Sequence, residues 1–472
     1  MGIRWSAPRP TRTPVRGILG ACATLVFAVC LTAPASWAQE PRPGPVQQPP
    51  SPVRQQRAES DEEEAPRRQS PLLRVPTLGS TLGSTYPGLA NYPLELFGLL
   101  MAPLERREIN LVPALAIGEE FNDNIFMNND RKRYDFITSF TPSVILLANR
   151  PQFQLAAGFA NVSEIFARDN TSNDAFSRQE FILGSFWQVS PHWSFSVADS
   201  FTRDQSPDAL AGGFSVNGQG ALSNFLSASV GWQMAPQTRL DVTGLYSVIR
   251  FEGNGSGIDS DTYGVLNTLS HGFTPRFTGM VGYNFNYLDL RSGHGDNATT
   301  HNPTIGFSYR ITQNLSFNAS GGPAFTSLGS EDFITPGVNA GLVYQLSFGT
   351  ASIFYSRGVG VAGGFGGPTD TQSIAATLIM PTWRDLLVIF NPGWTQAESL
   401  SDRQIQHIDI DVVSLGLGAA YRVSRYITVF GGYTFLRQRV GSKSTTPDFD
   451  ADQNRVKVGV QFGYPFAFDL GI

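Results

Sequence analysis

The chain has 472 residues, a formal net charge of −5, 48 glycines, 34 phenylalanines and only 15% charged residues. This acidic balance gives no electrostatic basis for binding a nucleic acid. Both cysteines, Cys22 and Cys30, lie near the N-terminus, and beyond that region no stretch is apolar for the roughly 20 residues that a membrane-spanning helix needs.

Residues 1–38 have the pattern of a secretory signal peptide. Arginines precede an apolar run from Ile18 to Leu31, and Ser36-Trp37-Ala38 suits cleavage after Ala38. We therefore expect the mature chain to begin after Ala38. That chain contains no cysteine, which excludes disulfides and thiolate metal sites.

Residues 39–91 are rich in proline, glutamine and charge, and this composition buries too little apolar surface to fold. They are predicted to form a disordered periplasmic tether, with a docking segment for a periplasmic partner as the alternative. Residues 92–107 are predicted to form a short helix with Pro93 in its first turn. This helix is too short to span a membrane and is a candidate plug segment for the mouth of the following domain.

Residues 108–472 repeat a unit of about 40 residues that consists of a strand, a tight turn, a strand and a long polar loop. The repeat predicts tight turns at 149–151, 190–192, 235–237, 274–276, 312–314, 347–349, 381–383 and 423–425. Eight turns pair sixteen strands, and one more strand at each end gives about eighteen. Sixteen strands is the alternative count.

Longer polar connections alternate with these turns, at 120–133, 203–218, 253–260, 292–299, 360–369, 398–406 and 439–452. Short turns on one side and long loops on the other are typical of outer-membrane barrels. Aromatic residues near the turns predict a ring at the membrane boundary, as at Tyr309, Tyr344, Tyr421, Trp187, Trp193, Trp232 and Trp383. The predicted fold is an all-β transmembrane antiparallel up-and-down barrel, with a two-sheet sandwich as the alternative.

The segment from Arg455 to Tyr464 alternates polar and apolar residues, which predicts a strand that separates lipid from water. Its spacing is similar to the C-terminal insertion signal of bacterial outer-membrane barrels. The residues that match are Lys457, Gly459, Phe462 and Tyr464. The alternative is a later insertion signal that ends at Phe466 or Phe468.

Charged residues with apolar neighbours in the predicted strands are candidates for the barrel lumen, because pleating turns alternate side chains to opposite faces. These candidates are Arg178, Glu180, Arg239, Asp241, Asp409, Asp411, Arg455 and Lys457. Their mixed signs predict a hydrated interior without a strong ion preference. Pairing among these charges across the lumen is the alternative.

Residues 118–126, which contain Asp123-Asn124-Ile125-Phe126, and residues 138–144, which contain Pro142, resemble the opening strands of outer-membrane β-barrel porins of the second type. The resemblance covers Glu108 to the C-terminus. It implies a channel, and members of this family are often associated with exopolysaccharide export.

The sequence thus predicts a non-enzymatic outer-membrane channel of a Gram-negative cell, with both termini in the periplasm, for polar solutes or a secreted exopolysaccharide. A plugged, structural or adhesive barrel is the alternative. A barrel-embedded hydrolase is a third hypothesis, which rests on five histidines without a surrounding motif: His192, His271, His294, His301 and His407. The expected partners are membrane lipid and lipopolysaccharide, the barrel assembly machinery and periplasmic polysaccharide-export components. No cofactor, metal or nucleic acid is expected.

Overall fold

The computed structural model describes residues 109–205, 220–252, 257–291, 297–361, 367–381, 385–401, 407–441 and 450–468. The predicted signal peptide, tether and plug segment lie outside the described residues. No helix in the described ranges is long and apolar enough to cross a membrane. A single turn of 3₁₀ helix, Asn170–Ser172, lies between the third and fourth strands.

Antiparallel strands with hydrogen bonds between sequence neighbours make up the fold. They are β1 (Ile109–Asn122), β2 (Asp135–Asn149), β3 (Phe153–Phe166), β4 (Asp174–Gln188), β5 (Trp193–Asp204), β6 (Ala221–Ala235), β7 (Thr238–Phe251), β8 (Ser260–Gly272), β9 (Phe277–Leu290), β10 (Ala298–Arg310), β11 (Leu315–Leu328), β12 (Glu331–Leu346), β13 (Gly349–Val361), β14 (Pro368–Pro381), β15 (Leu386–Ser399), β16 (Asp409–Arg422), β17 (Ile427–Val440), β18 (Ala451–Gly463) and β19 (Phe466–Phe468).

The sheet closes on itself because the first strand pairs with the last. Asn122 of β1 lies opposite Arg455 of β18, and the antiparallel register continues to Ala114 opposite Gly463. After an interruption at Tyr464 and Pro465, β19 continues the same pairing along the start of β1. The described strands therefore fill eighteen positions in the ring, with β19 as the extension of β18, and closure leaves none of these strands with an unpaired edge. The predicted up-and-down barrel is confirmed.

Each of the eight predicted tight turns lies at the join between an even-numbered strand and the next odd-numbered strand. We call this side of the barrel the turn end and the opposite side the loop end. One loop-end connection departs from the prediction of long loops. Only Gly329 and Ser330 separate β11 from β12, and Gly329 has a φ of 56°, which lies in the left-handed region that glycine adopts without strain.

Alternation along each strand divides the side chains between an outer and an inner face. On β1, Leu115 and Ile117 point outward and are about 40% exposed, whereas Ala116 between them is buried inside. On the opposite wall, Ile305 of β10 and Ile334 of β12 point outward and are more than 70% exposed. The outer surface is thus broadly apolar, the reverse of a water-soluble sheet.

In the part of the chain that the structure describes, the interior holds small apolar clusters in place of one continuous core. The largest contains Ala221 of β6 together with Ala397, Ile410 and Val412 of β15 and β16, and Phe251 of β7 packs against it. These strands lie on opposite walls of an eighteen-position ring, so apolar contacts cross the lumen at the loop end. A second cluster, around Val112 and Ile145, lies near the turn end of β1 and β2.

Candidate functional site in the barrel lumen

From β8 to β17, uncharged polar side chains and glycines line the middle of the inner wall. Examples are Asn286, Asn302, Asn318, Asn339, Ser356, Ser373, Thr395 and Ser414. Hydrogen bonds between hydroxyl groups join neighbouring strands, as between Ser356 and Ser373 at 2.7 Å and between Thr300 and Thr326 at 3.0 Å. Hydroxyls and amides donate and accept hydrogen bonds, so this wall suits a neutral, hydrated solute.

Charge in the lumen collects at the loop end around the strand seam. Arg455 of β18 donates two hydrogen bonds to Glu120 of β1, at 2.7 and 2.9 Å. Arg178 and Glu180 of β4 form an ion pair at 3.0 Å, and the Lys457 side chain lies beside Gly118. The structure brings four of the predicted lumen residues and Glu120 to neighbouring inner positions in this way, because β18, β1 and β4 belong to the same third of the ring.

Two further predicted lumen residues, Arg239 and Asp241, lie on the inner face of β7 near the turn end. They form an ion pair at 2.8 Å, and the Arg239 guanidinium also donates a hydrogen bond to the Ser194 hydroxyl at 2.9 Å. Gly231 on β6 leaves the space that the guanidinium occupies, since a Cβ there would lie 2.0 Å from it. This pair carries no net charge.

The prediction that Asp409 and Asp411 face the lumen is wrong for this structure. Ile410 and Val412, which alternate with them, are buried in the interior cluster, so both carboxylates lie on the outer face. Asp411 is adjacent to Arg439 of β17 in the sheet. Sequence reasoning assumed a polar lumen throughout, whereas the inner wall at this level of β16 is apolar.

The predicted family motif at Asp123 and Asn124 forms a clasp across the seam. The Asp123 carboxylate accepts hydrogen bonds from the backbone and side-chain nitrogens of Asn454 at 2.7 and 2.6 Å. The Asn124 amide donates to the Asp452 carbonyl at 2.9 Å, and Gln453 donates to the Asn124 carbonyl at 3.0 Å. These contacts give the motif a structural role in joining the first and last strands.

The predicted insertion signal divides between the two faces of β18 and the residues after it. Phe462 and Tyr464 lie on the outer face, where Tyr464 stacks on Tyr426 with ring centroids 5.2 Å apart. Gly459 and Lys457 lie on the inner face. The Phe430 ring covers Gly459 so closely that a Cβ there would lie 2.4 Å from it. Recognition of these residues by assembly machinery stays a prediction.

A polar cavity of about 340 Å³ opens at the turn end between the β8–β9 and β10–β11 turns. Two arginines, Arg276 and Arg310, line it. Its other polar residues are Thr278, Ser308, Gln313, Asn314, Ser316 and Gln345. Thr278, Ser308 and Arg310 are at inner positions of β9 and β10, so the cavity belongs to the lumen side of the rim.

Three histidines have ring contacts that are structural. His192 contacts the Gln233 carbonyl at 3.1 Å, His271 the Thr238 hydroxyl at 2.9 Å, and His301 the Tyr283 hydroxyl at 2.7 Å. None of these contacts joins a histidine to a serine and a carboxylate. His294 lies outside the described residues. Among the described residues no group of three or more His, Cys, Asp or Glu side chains is placed to hold a metal ion.

No protein-family model matches the chain, and no curated protein matches it. Several solved structures are similar in shape at low sequence identity. The crystal structure of OpdL from Pseudomonas aeruginosa is 12% identical, with a TM-score of 0.37 over 77% of this chain and 100% of that one. OccK5 (OpdH) from the same organism is 13% identical, with a TM-score of 0.40 over 76% and 98%. OccAB3 of Acinetobacter baumannii is 9% identical, with a TM-score of 0.38 over 76% and 99%.

Sequence reasoning did not identify the cavity or the cluster that crosses the lumen. Arg276 and Arg310 lie at two tight turns that the sequence did predict. Adjacent turns lie next to each other at one rim of a barrel, and this proximity could have indicated that the two arginines share a cavity. The cluster of Ala221 with Ile410 had no such signal, because contact between opposite walls depends on strand count and register.

Proposed function

We propose that the protein is an outer-membrane channel through which small polar solutes diffuse passively. The observation that carries this proposal is the reversal of the usual surface chemistry. Large apolar side chains cover the outside of a closed sheet, while hydroxyl and amide side chains line the middle of the lumen. A closed barrel of this kind satisfies its backbone hydrogen bonds within the sheet, as a lipid environment requires.

Aromatic side chains near both ends of the outer face support membrane placement. At the turn end, Trp193 and Trp232 stack with ring centroids 5.5 Å apart. Toward the loop end, Tyr246, Tyr263 and Tyr287 form a row of ring contacts on β7 to β9. Aromatic belts of this type lie at the two boundaries between lipid and water. Trp383, a further predicted member, lies outside the described residues.

The orientation follows from the connections. We place the turn end in the periplasm and the loop end outside the cell, because outer-membrane barrels have short periplasmic turns and longer external loops. Both ends of the barrel domain then face the periplasm. Ion pairs lie on the outer face near the loop end, such as Arg357 with Asp370 and Arg250 with Asp261. In this orientation they would lie at the level of the lipopolysaccharide headgroups. The assembly machinery and periplasmic export components remain proposed partners.

The finer proposal is that the solute is rich in hydroxyl groups, as a secreted polysaccharide is. The uncharged wall from β8 to β17 supports it, because serine, threonine and asparagine offer hydrogen bonds without the desolvation cost of fixed charges. Passage requires no covalent step, since water and these side chains exchange hydrogen bonds along the way.

A second candidate, a plugged structural barrel, is favoured by the apolar cluster that joins Ala221 to Ile410 across the loop end. Single-channel recording in planar bilayers separates the two candidates. Stable current steps proportional to voltage are expected of the channel. Silence from protein that is demonstrably folded and inserted would refute the channel and favour the plug.

A further inference from the structure

The turn-end cavity collects hydrogen-bond donors without any carboxylate among its lining residues. Two arginines, Arg276 and Arg310, line it together with residues that carry hydroxyl and amide side chains. The two residues are held side by side because the Arg310 backbone nitrogen donates to the Arg276 carbonyl at 2.8 Å. The sheet and two adjacent turns therefore frame the cavity.

These two arginines differ from the other lumen arginines in their surroundings. Arg239 and Arg422 at the same end of the barrel form ion pairs with Asp241 and Asp385 at 2.8 and 2.5 Å. Within the described part of the chain, no carboxylate lies within ion-pair distance of Arg276 or Arg310. Their positive charge is thus available to a ligand.

We propose that Arg276 and Arg310 form a binding site for the carboxylate or phosphate group of a solute at the turn-end mouth of the barrel. A guanidinium group matches the two oxygens of a carboxylate or phosphate with paired hydrogen bonds. The hydroxyls of Ser308 and Ser316 are placed to bond hydroxyl groups on the same solute. This site deepens the proposed function and rests on it, because the bound solute is one that would enter or leave the pore.

The solute class that fits both features of the lumen is a hydroxylated molecule with one oxyanionic group, such as a sugar acid or a sugar phosphate. The neutral wall bonds the hydroxyl groups, and the two arginines hold the oxyanion at the rim. Because the two arginines lie at the mouth, their positive charge raises the concentration of such solutes near the entrance and does not hold them in the middle of the pore.

The test measures binding of two probes, succinate and inorganic phosphate, to the full-length protein in detergent micelles by titration calorimetry. We expect the protein to bind at least one probe, and Arg276→Gln/Arg310→Gln to weaken that binding by about tenfold or more, because each lost charge-assisted hydrogen bond is strong. Succinate binding alone would identify a carboxylate as the ligand group, and phosphate binding alone a phosphate.

A control matched in charge is Arg150→Gln/Arg425→Gln, which removes two positive charges from other turns at the same end. Arg425 lies over the Tyr426 ring, outside the cavity. This variant is expected to bind within about twofold of the wild type, because screening weakens distant charges. Equal losses in the two double variants, or no binding of either probe to the wild type, would overturn the site.

The same variants in bilayers separate this proposal from the channel itself. Probe added on the turn side should reduce the wild-type current and leave the current of Arg276→Gln/Arg310→Gln unchanged. Probe binding in micelles without any channel current in bilayers would support the anion site and refute the channel. Channel current without probe binding would support the channel and refute the anion site.

Discussion

Arg455 and Glu120 meet across the barrel seam with two hydrogen bonds of 2.7 and 2.9 Å. The Glu120 side chain is 5% exposed and that of Arg455 is 19% exposed. The pair joins the last long strand to the first, and the clasp formed by Asp123 and Asn454 lies directly beside it. Closure of the barrel therefore combines the strand register with buried polar contacts between residues more than 300 positions apart.

Glu120→Ala is expected to destabilise the barrel. Removing one partner of a buried ion pair leaves the other charge without compensation, at a cost of about 3–5 kcal/mol. The measurement is the temperature at which the folded band is lost in semi-native gel electrophoresis. Glu252→Ala is the control, because the pair of Arg203 and Glu252 is more exposed and such pairs contribute about 0–1 kcal/mol. Equal shifts for both variants would contradict a special role for the seam.

Gly459→Ala is expected to impair folding for a steric reason. A Cβ at this position would lie 2.4 Å from the Phe430 ring and 2.6 Å from the Ile117 carbonyl oxygen, and overpacking of this kind costs about 1–3 kcal/mol. The yield of folded barrel after refolding into lipid measures the effect. Gly358→Ala is the matched control on β13, since a Cβ there meets nothing within 4 Å. A normal yield from Gly459→Ala would show that the ring moves aside freely.

Gly329→Val is expected to weaken the two-residue turn between β11 and β12. The φ of 56° at Gly329 is left-handed, a conformation that costs an ordinary residue about 1–2 kcal/mol. Gly329→Asn should be tolerated better, because asparagine visits this region readily. Thermal unfolding of the two variants tests the ranking, and equal stability would argue against the turn geometry.

The sequence predicted the barrel well because its signal is local. Turn residues such as Pro151, Pro191 and Pro275 interrupt the alternating segments at regular intervals, and that was enough to count eighteen strands. It did not predict contacts between opposite walls, which depend on register and closure. The wrong placement of Asp409 and Asp411 is the consequence. Alternation divides a strand into two faces, but it does not indicate which face is inside the barrel when both contain apolar residues.

The face assignment leads to a direct test by cysteine substitution, since the only native cysteines are Cys22 and Cys30 in the predicted signal peptide. A charged thiol reagent should reduce the single-channel current of Lys457→Cys, because residue 457 faces the lumen. The same reagent should leave the current of Asp411→Cys unchanged, because residue 411 lies on the outer face beside Arg439. Mass spectrometry confirms that both thiols have reacted. A current change at residue 411 and none at residue 457 would reverse the inner and outer faces, and with them the hydroxyl-lined passage on which the channel depends.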